Sequence, residues 1–132
     1  MQAKTKVLLV DDEQDFTQPM SSWLTAKGYS VRVANDGEGA IKIVKEDTPD
    51  IVFLDLKMPV MDGVEVLRRI REFNKTLPVI VITAYIDDPK AKEVNSYGIS
   101  GVFYKGADFM EGLSLIESVL RISERSKNKN KH

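Results

Sequence analysis

Asp55 closes the run Ile51-Val52-Phe53-Leu54-Asp55, in which four apolar residues end on a carboxylate. A charge at the end of a strand buried on both faces is costly unless something neutralises it. Other apolar runs also stop in polar chemistry. Val7-Leu8-Leu9-Val10 runs into Asp11-Asp12-Glu13, Val79-Ile80-Val81-Ile82 into Thr83, and Val102-Phe103-Tyr104 into Lys105. Parallel α/β sheets bind ligands outside the carboxyl ends of their strands. Three acids (Asp11, Asp12, Asp55), one hydroxyl and one ammonium are therefore expected at one sheet edge, a set that suits a divalent metal and a phosphoryl group.

Magnesium takes oxygen ligands in octahedral geometry and commonly shares a phosphate oxygen. Asp11, Asp12 and Asp55 with a backbone carbonyl meet that demand. The cation also answers the repulsion between an acidic cluster and an anionic phosphoryl donor. Asp55 then serves as nucleophile through one carboxylate oxygen, giving an acyl phosphate. Thr83 is placed to hydrogen-bond a phosphoryl oxygen, and Lys105 to pair with Asp55 before transfer and with the phosphoryl group after it. Each residue alone has a plainer explanation. Acids after a strand often open a helix in water, Asp55 can cap a turn, and a lone lysine is most often a solvated charge. The specificity lies in the joint pattern.

The elements that must position these groups follow from the alternation of apolar runs with helical periods. Strands are expected near 6–10, 29–34, 50–55, 77–83 and 100–104. All but the second are almost continuously apolar, as in strands covered on both faces. Tyr29-Ser30-Val31-Arg32-Val33-Ala34 alternates, which suits a sheet edge. The first helix carries Phe16, Met20, Trp23 and Leu24 and stops at Gly28. The second carries Ala40, Ile41 and Val44 behind Asp36 as N-cap. The third begins near Asp62 with Val64, Leu67 and Ile70 inward. The fourth, near 88–97, has only Ala91, Val94 and Tyr97. The fifth starts near Asp108 and carries Leu113, Ile116, Val119 and Leu120. Residues 1–122 read as one domain and 123–132 as a polar basic tail or the start of a linker.

The whole chain excludes several classes. Its 132 residues carry a net charge of −1, which argues for neither nucleic acid nor an acidic membrane surface. With no cysteine, thiol catalysis, disulfides and cysteine zinc sites are ruled out. The single histidine is His132, so a histidine metal cluster or general base is not expected. No apolar run approaches the ~20 residues of a membrane span, and a cytoplasmic protein is the expectation.

Val7-Leu8-Leu9-Val10-Asp11-Asp12-Glu13, then Asp55-Leu56-Lys57-Met58-Pro59-Val60-Met61-Asp62-Gly63, then Thr83-Ala84 and Lys105, resemble the response regulator receiver domain of two-component signalling. The resemblance extends over about residues 4–122. It implies a flavodoxin-like (βα)5 doubly wound three-layer sandwich with strand order 2-1-3-4-5. It also implies Asp55 as phosphoacceptor, with Mg2+ held by Asp11, Asp12, Asp55 and the main-chain carbonyl of Lys57, and with Thr83 and Lys105 reading the phosphoryl group. The implied donor is a phosphohistidine on a sensor histidine kinase or phosphotransfer protein. The surface made by the fourth helix, fifth strand and fifth helix is the implied dock for an output protein or a second copy.

Two positions depart from the family pattern. Gly106 follows Lys105 where proline is usual, and Val102 stands where many members carry a switching Tyr or Phe. Tyr104 and Tyr85 are the aromatics left to take over, and activation is expected to proceed without the usual aromatic flip. Lys57 and Tyr85 occupy positions that in the family line the water's approach to the acyl phosphate.

Other chemistries fit less well. A haloacid-dehalogenase-like phosphatase needs a second aspartate where Lys57 stands, and a flavodoxin needs a Ser/Thr/Gly-rich loop where Asp11-Asp12-Glu13 stands. A degenerate receiver that binds partners without phosphorylation remains the open alternative.

Overall fold

The computed structural model describes the backbone of residues 3–85 and 87–129, with side chains as far as residue 123. Strands and helices alternate along it. They are β1 (Lys6–Val10), α1 (Gln14–Ala26), β2 (Ser30–Ala34), α2 (Gly37–Glu46), β3 (Ile51–Asp55), α3 (Gly63–Phe73), β4 (Val79–Thr83), α4 (Pro89–Val94), β5 (Gly101–Tyr104) and α5 (Phe109–Lys129). All strand pairs are parallel, in the order β2-β1-β3-β4-β5. This is the flavodoxin-like sandwich expected from the sequence.

Strand parity divides the core into two layers. Leu8, Val10, Val52, Leu54, Val79 and Val81 point to the face covered by α2, α3 and α4, with Val44, Leu67 and Val94. Val7, Leu9, Ile51, Phe53, Ile80 and Ile82 point to the face covered by α1 and α5, with Leu24 and Ile116. Every residue of β3 and β4 is buried. β2, at the edge, exposes most of its length, in keeping with its alternating sequence. β4 starts two residues later than the apolar pattern suggests. Pro78 has no N–H to add to the ladder, although its carbonyl accepts the Val52 N–H at 3.0 Å.

The weak fourth helix is a six-residue α4 continued by a 3-10 turn at Asn95–Tyr97. α5 continues as a helix to Lys129, beyond Ile122 where its apolar face ends. Residues 130–132 of the expected tail lie outside the described residues. Among the described residues, no helix is long and apolar enough to cross a membrane.

The loop from β3 to α3 is the tightest passage in the fold. A Cβ on Gly63 would stand 2.2 Å from the Asp55 carbonyl oxygen and 2.8 Å from Leu56 Cα. Both are backbone atoms and cannot yield, so close approach is what requires glycine here. Three residues earlier, Val60 lies at φ 68°, with the Pro59 carbonyl accepting the Met61 N–H at 2.7 Å. That is a three-residue turn with positive φ at a β-branched, fully exposed residue, a strained arrangement.

These two positions give opposite expectations. Gly63→Ala loses about 3 kcal/mol through a clash that only backbone movement relieves. Val60→Gly gains about 0.5–1 kcal/mol, the relief of positive φ exceeding the added freedom of the unfolded chain. Urea denaturation midpoints at unchanged m-value check both.

Candidate functional site

The carboxyl ends of β1, β3, β4 and β5 deliver their polar residues to one edge. Asp11 follows β1, and its N–H pairs with the Ala34 carbonyl at 3.1 Å, so the chain is still in register as it leaves the sheet. Asp55 is the last residue of β3 and Thr83 the last of β4. Lys105 follows β5, with its N–H on the Thr83 carbonyl at 2.8 Å.

Asp11 is fully buried and Asp55 nearly so. Oδ1 of Asp11 accepts the Glu13 N–H at 2.9 Å, and Oδ1 of Asp55 accepts the Lys57 N–H at 3.2 Å. Each carboxylate turns its other oxygen towards Lys105. The ammonium lies 3.0 Å from Asp11 Oδ2, 2.9 Å from Glu13 Oε1 and 3.4 Å from Asp55 Oδ2. It also sits 5.5 Å from the centre of the Phe16 ring. Asp12 and Glu13 are exposed on the outer side of the cluster. One carboxylate oxygen from each of Asp11, Asp12, Glu13 and Asp55 lies within 4.8 Å of the others.

One ammonium does not balance this many acids. Burial, and then the charge of Asp11, push the Asp55 carboxyl up to about 7 against the opposing pull of Lys105 and the Lys57 N–H. Burial works against the charge on Lys105, but Glu13, Asp11 and Asp55 together hold its pKa well above the usual lysine value. Asp11 Oδ2 remains a buried oxygen without a well-aligned hydrogen-bond donor, despite the nearby ammonium. A buried oxygen left in that state calls for an explanation. An all-oxygen donor set with an orphaned carboxylate oxygen is what a hard divalent cation requires. The residues present fit magnesium.

The fold thus brings Asp11, Asp12, Asp55 and Lys105 together. Thr83 arrives at the same edge with its hydroxyl engaged elsewhere. Its Oγ1 is 3.1 Å from Asp88 Oδ2, 3.1 Å from the Tyr85 carbonyl, and accepts the Tyr85 N–H at 3.1 Å. Lys57 places its ammonium 4.3 Å from the centre of the Tyr85 ring.

Two acids were not singled out from the sequence. Glu13, read only as the third member of an acidic run, grips Lys105. Asp88, read only as the start of a weak helix, is buried against Thr83. A buried acid beside Pro89 has no distinguishing pattern in sequence.

The loop after β5 shows what replaces the expected proline. The Tyr104 carbonyl accepts the Ala107 N–H at 3.0 Å, closing a turn with Gly106 at its third position and φ 93°. Type II turns demand positive φ there, and proline cannot supply it. Lys105 is held by this turn and by its ladder bond to Thr83. Val102 is half-buried against the α2–α3–α4 layer, while Tyr104 and Tyr85 are exposed.

Known proteins match both the sequence and the fold. Residues 7–117 match the family described as the response regulator receiver domain. The chain is 30% identical to the regulatory protein AtoC of Escherichia coli over 96% of its own length and 28% of the relative's. It is 34% identical to the response regulator ArlR of Staphylococcus saprophyticus over 89% of itself and 53% of that protein. It therefore spans about half or less of these curated relatives. Among solved structures, the chemotaxis protein CheY4 of Vibrio cholerae superposes with a TM-score of 0.84 at 30% identity, covering 89% of this chain and 99% of that one. Acids at the ends of β1 and β3, a lysine after β5 and a match along most of the chain lead to one assignment: the chain belongs to the response regulator receiver domain family of two-component signalling.

Proposed function

We propose that this domain takes a phosphoryl group onto Asp55 from a phosphohistidine of a sensor histidine kinase or phosphotransfer protein, in a magnesium-dependent transfer. The observation that carries the reading is the under-neutralised cluster of Asp11, Asp55 and Glu13 around Lys105, in which one ammonium is shared by three carboxylates and the buried Asp11 Oδ2 has no well-aligned hydrogen-bond donor. Asp11, Asp12, Asp55 and the Lys57 carbonyl are the groups that would hold the ion. When bound, it supplies charge neutralisation for the incoming phosphoryl oxygens.

In the transfer an Asp55 carboxylate oxygen forms a bond to phosphorus as the phosphorus–nitrogen bond to the donor imidazole breaks. The electron pair stays on that nitrogen, which takes up a proton. Asp55 starts close to its attacking position, since the Lys57 N–H fixes one oxygen and the C-terminus of β3 fixes the backbone. Lys105 shifts its ammonium from Asp55 to the new phosphoryl group, and Thr83 turns its hydroxyl to a phosphoryl oxygen. Such positioned charges account for most of the catalysis in phosphoryl transfer. The switched surface is the one formed by α4, β5 and α5, available to an output protein or a second copy of the domain.

Incubation with acetyl phosphate and magnesium, followed by intact mass, tests the reading. The wild-type chain gains one phosphoryl group; Asp55→Asn gains none, and chelation of the metal abolishes the gain. Lys105→Ala slows acquisition about a hundredfold by removing a preorganised cation from the transferring group. A wild-type protein that stays unmodified while still binding a kinase would identify a receiver that works without phosphorylation.

The Lys57–Tyr85 contact makes a separate claim about the lifetime of the product. The two side chains form one cation–π pair at the positions flanking the acyl phosphate. In a double-mutant cycle on phosphoryl loss, Lys57→Ala and Tyr85→Ala combine non-additively by a factor of about three. Independent effects that simply multiply would show that the pair does not act as a unit.

A further inference from the structure

The proposed transfer makes no use of Asp88, although it is among the few buried charged residues of the chain. Asp88 does two things at once. Its Oδ1 accepts the Lys90 N–H at 3.0 Å, capping α4. Its Oδ2 faces the Thr83 hydroxyl at 3.1 Å. Among the described residues, Thr83 is the donor to that second oxygen.

α4 depends heavily on this cap. It has six residues, of which only Val94 is buried. Pro89 occupies its first turn and has no N–H, so Lys90 supplies the first amide, and that amide rests on Asp88. The start of the helix is otherwise tied by Lys90 Nζ to Asp62 Oδ2 at 3.0 Å. Asp62 is in turn the N-cap of α3, accepting the Glu65 N–H at 3.0 Å.

We infer that Asp88 is a positioning residue that couples the Thr83 hydroxyl to the start of α4, so that the helix moves when Thr83 changes partner. A threonine hydroxyl has one proton. That proton has two acceptors at 3.1 Å, the Tyr85 carbonyl and Asp88 Oδ2, and while it is directed to the carboxylate both Asp88 oxygens are satisfied and the cap is held in place. Once it is directed to a phosphoryl oxygen, Asp88 Oδ2 becomes a buried oxygen without a donor, a state that folded proteins avoid. Asp88 then leaves the pocket or rotates, taking the Lys90 amide with it. No aromatic side chain takes part, in keeping with valine at position 102. The inference rests on the phosphoryl-transfer reading, because it needs a group at Asp55 to claim the Thr83 proton.

Backbone amide NMR of the full chain tests it, with beryllofluoride plus magnesium as the phosphoryl mimic. In wild type the Lys90 and Ala91 amide resonances shift on addition of the mimic. In Asp88→Asn the side-chain oxygen still caps Lys90, and the amide group donates to Thr83 instead of accepting from it. The Thr83 proton is then free from the outset, and the Lys90 response is lost while phosphorylation by acetyl phosphate persists. Asp88→Ala gives the same loss with the Lys90 amide already displaced before the mimic is added.

A Lys90 response of wild-type size in Asp88→Asn would overturn the coupling. So would a wild-type chain that binds the mimic at Asp55 without any shift at Lys90. If wild type neither binds the mimic nor gains mass from acetyl phosphate, the phosphoryl-transfer reading fails and the inference falls with it, an outcome distinct from the other two.

Discussion

A single ammonium facing Asp11, Glu13 and Asp55 sets the terms for everything at the carboxyl edge of the sheet. Lys105 leaves β5, whereas the acids leave β1 and β3, so its side chain crosses the end of β4 to reach them. The contact is mostly shielded from water, where charges interact strongly and unpaired ones are expensive. One cation cannot satisfy this many acids. Burial, and then the charge of Asp11, push the Asp55 carboxyl up to about 7, and a buried Asp11 oxygen has no well-aligned hydrogen-bond donor beyond the shared ammonium. A site in this condition favours added positive charge, and its carboxylate oxygens are the ligand type that a hard cation takes.

The backbone has to bring these groups within a few ångströms without filling the space between them. Gly63 lets α3 start directly against the backbone of Asp55 and Leu56. At the other side of the site, Gly106 turns the chain immediately after Lys105. The turn needs positive φ, so the residue that fits is the one least like the proline expected from the family pattern. The ammonium still reaches Asp55, because its direction is set upstream. β5 pairs with β4 in register, and the Lys105 N–H continues that ladder on the Thr83 carbonyl.

The sheet and the central acids were legible because each is written in a local pattern. Continuous apolar runs such as Val79–Ile82 mark strands covered on both faces. A carboxylate at the end of such a run is conspicuous because apolar neighbours cannot neutralise it. Asp36, Asp62 and Asp108 were readable as helix starts, and each accepts a backbone N–H there. Glu13 and Asp88 were not legible as site residues. Their importance comes from partners 92 and 5 residues away, Lys105 and Thr83, and no sequence period reports such pairings. The reason for glycine at position 63 was equally hidden, since a positive φ and a close approach both select glycine and only coordinates separate them. α4 was faint for an energetic reason. With one buried side chain, it draws its position from capping and an ion pair rather than from an apolar stripe.

That weakness places α4 under the influence of the charged edge. The helices α3 and α4 both begin there, each on an aspartate cap, and Lys90 joins the two starts through Asp62. Helix N-termini carry partial positive charge and exposed N–H groups, so added negative charge at Asp55 acts on them as well as on Lys105. The two helices differ in how firmly they can resist. α3 buries Val64, Val66, Leu67 and Ile70 and is additionally pinned at its far end, where the Arg71 guanidinium donates to the Tyr97 and Gly98 carbonyls at 2.8 and 2.7 Å. The same arginine fixes the segment that follows α4. The start of α4 is thus left as the compliant point between two anchored neighbours. A change of charge at the end of β3 has the least packing to overcome at that position.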